Sequence, residues 1–363
     1  MPSRRLWLAC LALLLLTACV PARSEQVGQA PTPAQPTAEP APLSLSIGWG
    51  VTPITASPAS VLWLADDLGF YAREGLKPDL LLIQGTPNLV AGTRSGQVDV
   101  AILTAYEAVL LTATKSIDLR MIGGSGASGQ ANTFMVVSRD SVGSLEELRG
   151  KSVAVARIGS YDDTLAKQFL RARGLDPSEI QFLALGDPNV RLQALIARQI
   201  DATLTSISTW VSIRQQPGIK ILASFDEVNK AVPSWPSGQV VTAQVARDKA
   251  EQLRRYTRAV VKASRFFATN KQAWVDAMAK RRADMDPADL AELWDLFQHG
   301  WSVNGGMNLA DYEKGADLLY STSPDFAQVP RIGLSEWADS QFVDVALREV
   351  GVDASMDAPG RAP

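Results

Sequence analysis

The chain has 363 residues, of which 46% are hydrophobic and 20% charged, which is typical of soluble globular proteins. Its net charge of -3 excludes the basic field with which nucleic-acid-binding proteins neutralise phosphates, so we expect no nucleic-acid partner. The length predicts two domains rather than one.

The first 42 residues have the pattern of a leader and a tether. Arg4 and Arg5 precede the apolar run "LWLACLALLLL", which is too short to span a bilayer. "LTAC" at 16–19 resembles a bacterial lipobox, so we interpret residues 1–18 as a lipoprotein signal peptide and Cys19 as the lipidated residue. An ordinary cleaved signal with an incidental cysteine is the alternative. Residues 19–42 are rich in proline and predict an extended, lipid-anchored tether outside the cytoplasm.

The cysteine count limits the chemistry of the mature chain. Cys10 lies in the predicted signal peptide and Cys19 at the predicted lipid anchor, and the sequence has no other cysteine. A thiol nucleophile, an iron–sulfur cluster and a cysteine-based zinc site are therefore excluded. The single histidine, His299, excludes a catalytic triad and a histidine-cluster metal site. We expect no metal and no cofactor.

From residue 43 the pattern alternates strands with helices. "LSLSIGW" (43–49) predicts a strand, and Ser57 and Pro58 predict the start of a helix that ends at Gly75. Strand patterns recur in "LKPDLLLI" (76–83), "VDVAIL" (98–103), "LRMIGG" (119–124), "TFMVVS" (133–138), "SVAVA" (152–156), "IQFLAL" (180–185) and "DATLTS" (201–206). Beyond "QVVTAQVARD" (239–248) the chain is mostly helical. This order predicts an α/β fold with parallel sheets covered by helices.

One helix-to-strand unit occurs twice. "PNLVAGTRSGQVDVAILT" begins at Pro87 and "PNVRLQALIARQIDATLTS" at Pro188. Each unit delivers a strand tip, near Thr104 or Thr205, and ligands of open parallel sheets lie at the carboxyl ends of the strands. Asp99 and Asp201 lie at the opposite end of each strand, so we interpret both as structural residues.

Aromatic residues are frequent at the predicted strand tips, which hold a single cation, Arg157. Rings on loops can sandwich a planar ligand, although a single ring is more often part of the packing. We therefore expect a small, planar, weakly charged ligand, such as a thiamin-pyrimidine precursor or a riboflavin-like compound. The predicted ligand-binding residues are Trp49, Thr86, Thr104, Tyr106, Ser125, Gly159, Ser160, Tyr161, Asp163, Thr205, Trp210 and Trp235.

Two motifs have a second interpretation, of which the first remains open and the second is disfavoured. Ser160 or Asp162 can instead cap the helix that follows the turn "RIGSYDDT" (157–164). "GSGASG" (124–129) matches the dinucleotide-binding spacing, but a strand follows it instead of a helix, so a nucleotide site is disfavoured.

Two long blocks and the tail carry a resemblance. They are "LADDLGFYAREGLKPDLLLIQGTPNLVAGTRSGQVDVAI" from Leu64, "SLEELRGKSVAVARIGSYDDTLAKQFLRARGLDPSEIQFLALG" from Ser144 and "LSEWADSQFVDVALREVG" from Leu334. They resemble the solute-binding receptors of nitrate/sulfonate/taurine-type ABC importers, whose superfamily includes thiamin-precursor receptors.

The resemblance implies a two-lobe periplasmic-binding-protein type II fold, with two mostly parallel sheets, flanking helices and two hinge strands near 131–138 and 238–246. Lobe 1 would comprise residues 43–132 plus 245–351, lobe 2 residues 133–244, and residues 352–363 a disordered tail. It also implies a monomeric, non-enzymatic receptor that passes a small molecule to an ABC permease and ATPase.

Three alternatives to this interpretation were considered, of which the second is disfavoured. The same receptor type can bind an alkanesulfonate, taurine or nitrate. A pyrimidine-synthase-like enzyme is disfavoured, because the catalytic histidine and the cysteine-rich motif of those enzymes have no counterpart here. A sensor domain without a transport role is the third.

Overall fold

A computed structural model describes residues 41–50, 54–83, 85–126, 134–232 and 237–354. The predicted signal peptide, Cys19, residues 20–40 of the tether, Trp235 and the last nine residues of the tail lie outside these ranges. No helix in the described ranges is long and apolar enough to cross a membrane.

Two five-stranded sheets form the centre of the described chain. In chain order the strands are β1 (Leu43–Trp49), β2 (Leu76–Leu82), β3 (Val100–Thr104), β4 (Leu119–Gly124), β5 (Phe134–Arg139), β6 (Ser152–Val155), β7 (Gln181–Ala184), β8 (Ala202–Ser206), β9 (Ile219–Ala223) and β10 (Ser237–Thr242). The first sheet has the order β2-β1-β3-β10-β4, and the second has the order β7-β6-β8-β5-β9.

Helices cover both sheets. They are α1 (Val61–Asp67), α2 (Phe70–Arg73), α3 (Thr86–Ser95), α4 (Ala105–Ala113), α5 (Tyr161–Ala172), α6 (Pro188–Ile196), α7 (Ile207–Val211), α8 (Phe225–Ala231), α9 (Ala243–Asp248), α10 (Ala250–Thr269), α11 (Lys271–Arg281), α12 (Pro287–Leu296), α13 (Leu309–Thr322) and α14 (Gln341–Val350). The predicted α/β class, with helices flanking two mostly parallel sheets, is confirmed.

Each sheet contains one antiparallel strand, and that strand arrives from the other sheet. β5 follows β4 of the first sheet and pairs antiparallel with β8 and β9. β10 follows β9 of the second sheet and pairs antiparallel with β3 and β4. The two predicted hinge strands overlap β5 and β10. Lobe 2 was predicted to include residues 237–242. In the structure Ser237–Thr242 pairs within the first sheet, because the chain crosses to that sheet before the strand begins.

The helix predicted from Ser57 to Gly75 is interrupted. A 3-10 turn at Pro58–Ser60 precedes α1, and the side chain of Ser57 makes no capping hydrogen bond. Gly69, with φ of +70°, separates α1 from α2, since this left-handed conformation ends a helix at little cost only for glycine. The hydroxyl of Tyr71 then donates to the carbonyl of Leu62 at 2.8 Å and ties the two short helices together.

One apolar cluster runs through both sheets. Trp49 and Val100 of the first sheet belong to the same buried cluster as Met135 and Ala154 of the second. Removing this apolar surface from water is the main stabilising contribution to the fold. The carboxyl-end edges of the two sheets are therefore held near each other by packing as well as by the two crossings.

The two copies of the repeated unit make the same contacts. The carboxylate of Asp99 accepts from the backbone N–H and the hydroxyl of Ser46 at 2.9 and 3.0 Å. The carboxylate of Asp201 accepts from the same two groups of Ser152, both at 2.9 Å. In return each serine hydroxyl accepts from the aspartate N–H, at 2.9 and 3.0 Å. The structural role predicted for both aspartates is confirmed.

A cation completes each of these sites. Lys249 lies 2.6 Å from the carboxylate of Asp99, and Arg139 pairs with Asp201. Burial alone would raise the pKa of Asp201, but the hydrogen bonds from Ser152 and the charge of Arg139 bring that pKa below its usual value.

Candidate functional site

The carboxyl-end edges of the two sheets face each other. Residues 125–133 connect the carboxyl end of β4 to the start of β5, and residues 224–236 connect the carboxyl end of β9 to the start of β10. Both crossings therefore leave one sheet and enter the other at these edges. Ligands of open parallel sheets bind beyond the carboxyl ends of the strands, so the space between the edges is the candidate site.

Thr104 and Tyr106 lie at the edge of the first sheet, where they were predicted. Thr104 caps α4 in a capping box: its backbone N–H donates to Oε2 of Glu107 at 2.9 Å, and its hydroxyl accepts from the N–H of Glu107 at 3.5 Å. The hydroxyl of Tyr106 donates to Asp325, and its ring meets Phe326 edge-on at 5.6 Å. Both side chains are buried and bonded within the protein.

Burial and neighbouring carboxylates raise the pKa of Tyr106. Desolvation is the largest cause, followed by the hydrogen bond to Asp325 and the negative charges of Asp325, Glu107 and Asp163. Asp163 belongs to α5 beside the second sheet, so its charge reaches Tyr106 across the space between the edges.

The other predicted rings are found in different settings. Trp49 is 5% exposed and packs against Trp63, with ring centroids 6.0 Å apart. Trp210 is half-buried on α7 and packs against the same apolar cluster. Tyr161 begins α5, and Trp235 lies outside the described residues. Ligand contact by any of these rings stays a prediction.

Arg157, which follows β6 of the second sheet, lies close to Gly85 of the first. A Cβ atom placed on Gly85 would lie 3.2 to 3.3 Å from the guanidinium nitrogens of Arg157. Gly85 precedes α3 with φ of +81°, and no side chain caps this helix. The half-buried Thr86 is the first residue of α3. The only cation of the predicted strand tips therefore lies against an uncapped helix start of the opposite sheet.

The turn after β6 is held by its own aspartates. The backbone N–H of Gly159 donates to Oδ2 of Asp163 at 2.8 Å, and the N–H of Ala156 donates to Oδ2 of Asp162 at 2.8 Å. The hydroxyl of Ser160 contacts the Asp162 carboxylate and makes no capping hydrogen bond to α5. Gly159 is exposed with φ of +78°, so its backbone is accessible.

Sequence reasoning missed Arg191, the ion-pair partner of Asp162. The two side chains are buried and form a salt bridge at 2.5 Å. No motif marks this arginine, since it lies in the first turn of α6, 29 residues from its partner.

Three predicted residues carry buried polar atoms with no hydrogen-bond partner in the described part of the chain. They are the hydroxyls of Ser125 and Thr205 and the Oδ1 atom of Asp163, in residues 3%, 0% and 2% exposed. Ser125 is fixed at the edge of the first sheet, because its N–H donates to the carbonyl of Ser237 at 3.0 Å. Buried polar atoms in folded proteins almost always have partners, so these three atoms are the best candidates for ligand contact.

The repeat suggested that Thr205 is equivalent to Thr104. In the structure the equivalent residue is Ser206. Ser206 caps α7, and its hydroxyl accepts from the N–H of Thr209 at 3.2 Å, as Thr104 caps α4. Each capping residue lies five positions after its aspartate, Asp99 or Asp201. The predicted pairing of Thr104 with Thr205 is thus wrong by one position, because it matched the last threonine of each apolar run.

Two further contacts join the elements beside the two sheets. The hydroxyl of Thr322 on α13 donates to Oε1 of Gln168 on α5 at 2.7 Å. Arg214, just after α7, contacts Glu292 at 2.5 Å and Asp289 at 3.2 Å, both on α12. Such contacts must break if the two edges separate.

Among the residues that the structure describes, no three histidine, cysteine or acidic side chains are grouped to hold a metal ion.

Residues 59–273 match the family model described as NMT1/THI5 like. No curated protein sequence is similar enough to count as a match. Similar solved structures include one from Bordetella bronchiseptica RB50, with a TM-score of 0.70 and 18% identity over 85% of this chain and 98% of that chain.

Two others have named functions. The alkanesulfonate-binding protein SsuA from Xanthomonas axonopodis pv. citri, bound to MOPS, has a TM-score of 0.64 and 17% identity over 84% of this chain and 100% of that chain. The periplasmic nitrate-binding protein NrtA from Synechocystis PCC 6803 has a TM-score of 0.64 and 13% identity over 88% and 92%. The fold is thus that of the periplasmic binding proteins. Since the family model covers more than half of the sequence, the chain belongs to the NMT1/THI5-like family.

Proposed function

We propose that this protein is an extracytoplasmic solute-binding receptor of an ABC importer. It captures a small molecule between the facing edges of its two sheets and presents it to a permease and its ATPase. The observation that carries the proposal is the presence of unpartnered, buried polar atoms on both edges: Ser125 on one side, Thr205 and Asp163 on the other. The fold, shared with sulfonate- and nitrate-binding proteins, supports it.

The mechanism is binding followed by closure, without bond chemistry. The contacts of Arg214 and of Thr322 join the two sides only while the edges are close, so they favour the closed form. A ligand that contacts both edges adds to them and shifts the population further toward closure. Lipidation at Cys19 would keep the receptor near its permease.

The chemical class of the ligand has two candidates. A planar heteroaromatic compound is supported by the half-buried ring of Trp210, whereas Trp49 and Tyr106 are already packed or bonded within the protein. An alkanesulfonate or nitrate is favoured by Arg157, which lies beside the uncapped start of α3.

Calorimetry with the purified protein tests the receptor function and separates the two classes. The panel is nitrate, ethanesulfonate, taurine, a thiamin-type aminopyrimidine and riboflavin. We expect saturable binding of at least one compound, weakened about tenfold or more by Thr205→Val, which removes one unpartnered hydroxyl at constant shape. Thr257→Val on α10 is the matched control, because this buried hydroxyl also has no described partner but lies away from the edges. Equal effects of the two variants would contradict the proposed site.

A further inference from the structure

Only one of the two carboxylate oxygens of Asp163 accepts hydrogen bonds from the described part of the protein. Its Oδ2 atom accepts from the N–H of Gly159 and from the ammonium of Lys167, both at 2.8 Å. Its Oδ1 atom is buried and has no partner among the described residues. A buried carboxylate oxygen left without a donor is costly, so a donor from outside the chain is expected to meet it.

The helix that carries Asp163 contacts an element of the other side. Asp163 is in the first turn of α5, and the bond from Thr322 to Gln168 fixes this helix beside α13 of the other side. The negative charge of Asp163 is also the smallest of the causes that raise the pKa of Tyr106, which lies on α4 of the other side. The candidate site therefore includes Asp163.

Charged groups of both signs lie around this position. Asp325 is bonded to the hydroxyl of Tyr106, and Arg157 lies on the turn that precedes α5. The ammonium of Lys167 already contacts the other oxygen of Asp163. Asp162, the next carboxylate on α5, is neutralised by Arg191. A carboxylate oxygen can only accept, so the free Oδ1 atom of Asp163 favours a hydrogen-bond donor, and above all a cationic one, over an anion.

We propose that the ligand carries a nitrogen with hydrogens to donate, such as an ammonium or a ring amino group, and that this nitrogen binds Oδ1 of Asp163. The inference rests on the proposed function and deepens it. It predicts selection for the amine-bearing member among otherwise similar molecules, whether their scaffold is a pyrimidine or a sulfonate.

Two matched pairs of probes test it by calorimetry with the purified protein: taurine against isethionate, and 4-amino-2-methylpyrimidine against 2-methylpyrimidine. In at least one pair the amine-bearing probe should bind about 10- to 100-fold more tightly, as expected for a charge-assisted hydrogen bond. Asp163→Asn should remove most of this difference, because it weakens the amine-bearing probe far more than the amine-free one. Asp226→Asn, an exposed aspartate in the first turn of α8, is the matched control for the charge near a helix start.

A second variant keeps the test decisive if Asp163→Asn fails to fold. Lys167→Met removes the cation that shares Asp163, so the amine-bearing probe should bind more tightly while the amine-free probe does not. If amine-free probes bind as well as their partners, or if the variants change both members of a pair equally, this inference is wrong and the receptor function stands. If no compound of either panel binds, the proposed function fails with it.

Discussion

Replacing Glu107 by glutamine should remove a cost of folding that grows with pH. The side chain is buried in the first turn of α4. Burial raises the pKa of its carboxyl from the usual 4.5 to about 7, and the hydrogen bond from the backbone of Thr104 offsets only part of this rise. Between these two values the folded protein keeps a proton that the unfolded chain releases. Stability is therefore full below pH 4.5 and falls until the pH has passed 7.

The expected size follows from the shift. At 1.36 kcal/mol per pKa unit, a rise of this extent costs the parent roughly 3 kcal/mol at pH 8. Glutamine stays neutral and its amide oxygen can still accept from Thr104, so the capping box is kept. Urea unfolding followed by circular dichroism should show the variant gaining about 2 to 3 kcal/mol on the parent between pH 5 and pH 8.

Glu227 provides the matched control. It forms the same capping box with Ser224 at the start of α8, but its side chain is exposed. Hydrogen bonds from the backbone and side chain of Ser224 lower the pKa of Glu227, so it titrates below the tested range. Glu227→Gln should show no change in relative stability from pH 5 to pH 8. If the Glu107→Gln curve also runs parallel to that of the parent, burial does not keep Glu107 protonated and the reasoning is refuted.

Three further predictions concern stability and closure. Arg191→Met leaves the buried Asp162 without its cation and should cost about 3 kcal/mol in urea unfolding; a loss below about 1 kcal/mol would contradict this. Arg214→Gln removes a contact to two carboxylates of α12, so stopped-flow release of a bound ligand should be several-fold faster at low salt and unchanged in 1 M salt. Gly124→Ala would place a Cβ atom 2.5 Å from the carbonyl oxygen of Gly306, so its melting temperature should fall by several degrees, and an unchanged value would show that the backbone yields.

The periodic segments were predictable from the sequence, and their pairing was not. Every strand predicted between residues 43 and 206 is present, since each is marked by a short run that includes apolar residues. Ile219–Ala223 escaped prediction, because this edge strand has only five residues and Lys220 interrupts its apolar run. The antiparallel direction of β5 and β10 depends on which sheet receives a crossing chain, and no local pattern encodes that.

Contacts between distant residues set the same limit at the site. The repeat identified Asp99 and Asp201 as equivalent, yet their partners Ser46 and Ser152 lie about fifty residues upstream, as the separations of 53 and 49 positions show. Nothing near either serine predicts the pairing. The resemblance to a known family predicts the two-sheet arrangement, whereas these bonds depend on how distant segments meet in the folded chain.

The structure also changes which side chains should recognise the ligand. A large ring such as Trp49 is stabilised by packing alone, so its presence at a strand tip says little about a ligand. A buried hydroxyl or carboxylate oxygen without a partner is costly, so at a strand tip it indicates a ligand contact more strongly than a packed ring does. By this criterion Ser125, Thr205 and Asp163 outrank the aromatic residues. A compound that satisfies all three must donate to Asp163 and exchange hydrogen bonds with a hydroxyl on each side, which favours a small polar molecule with an amino group over a bare anion.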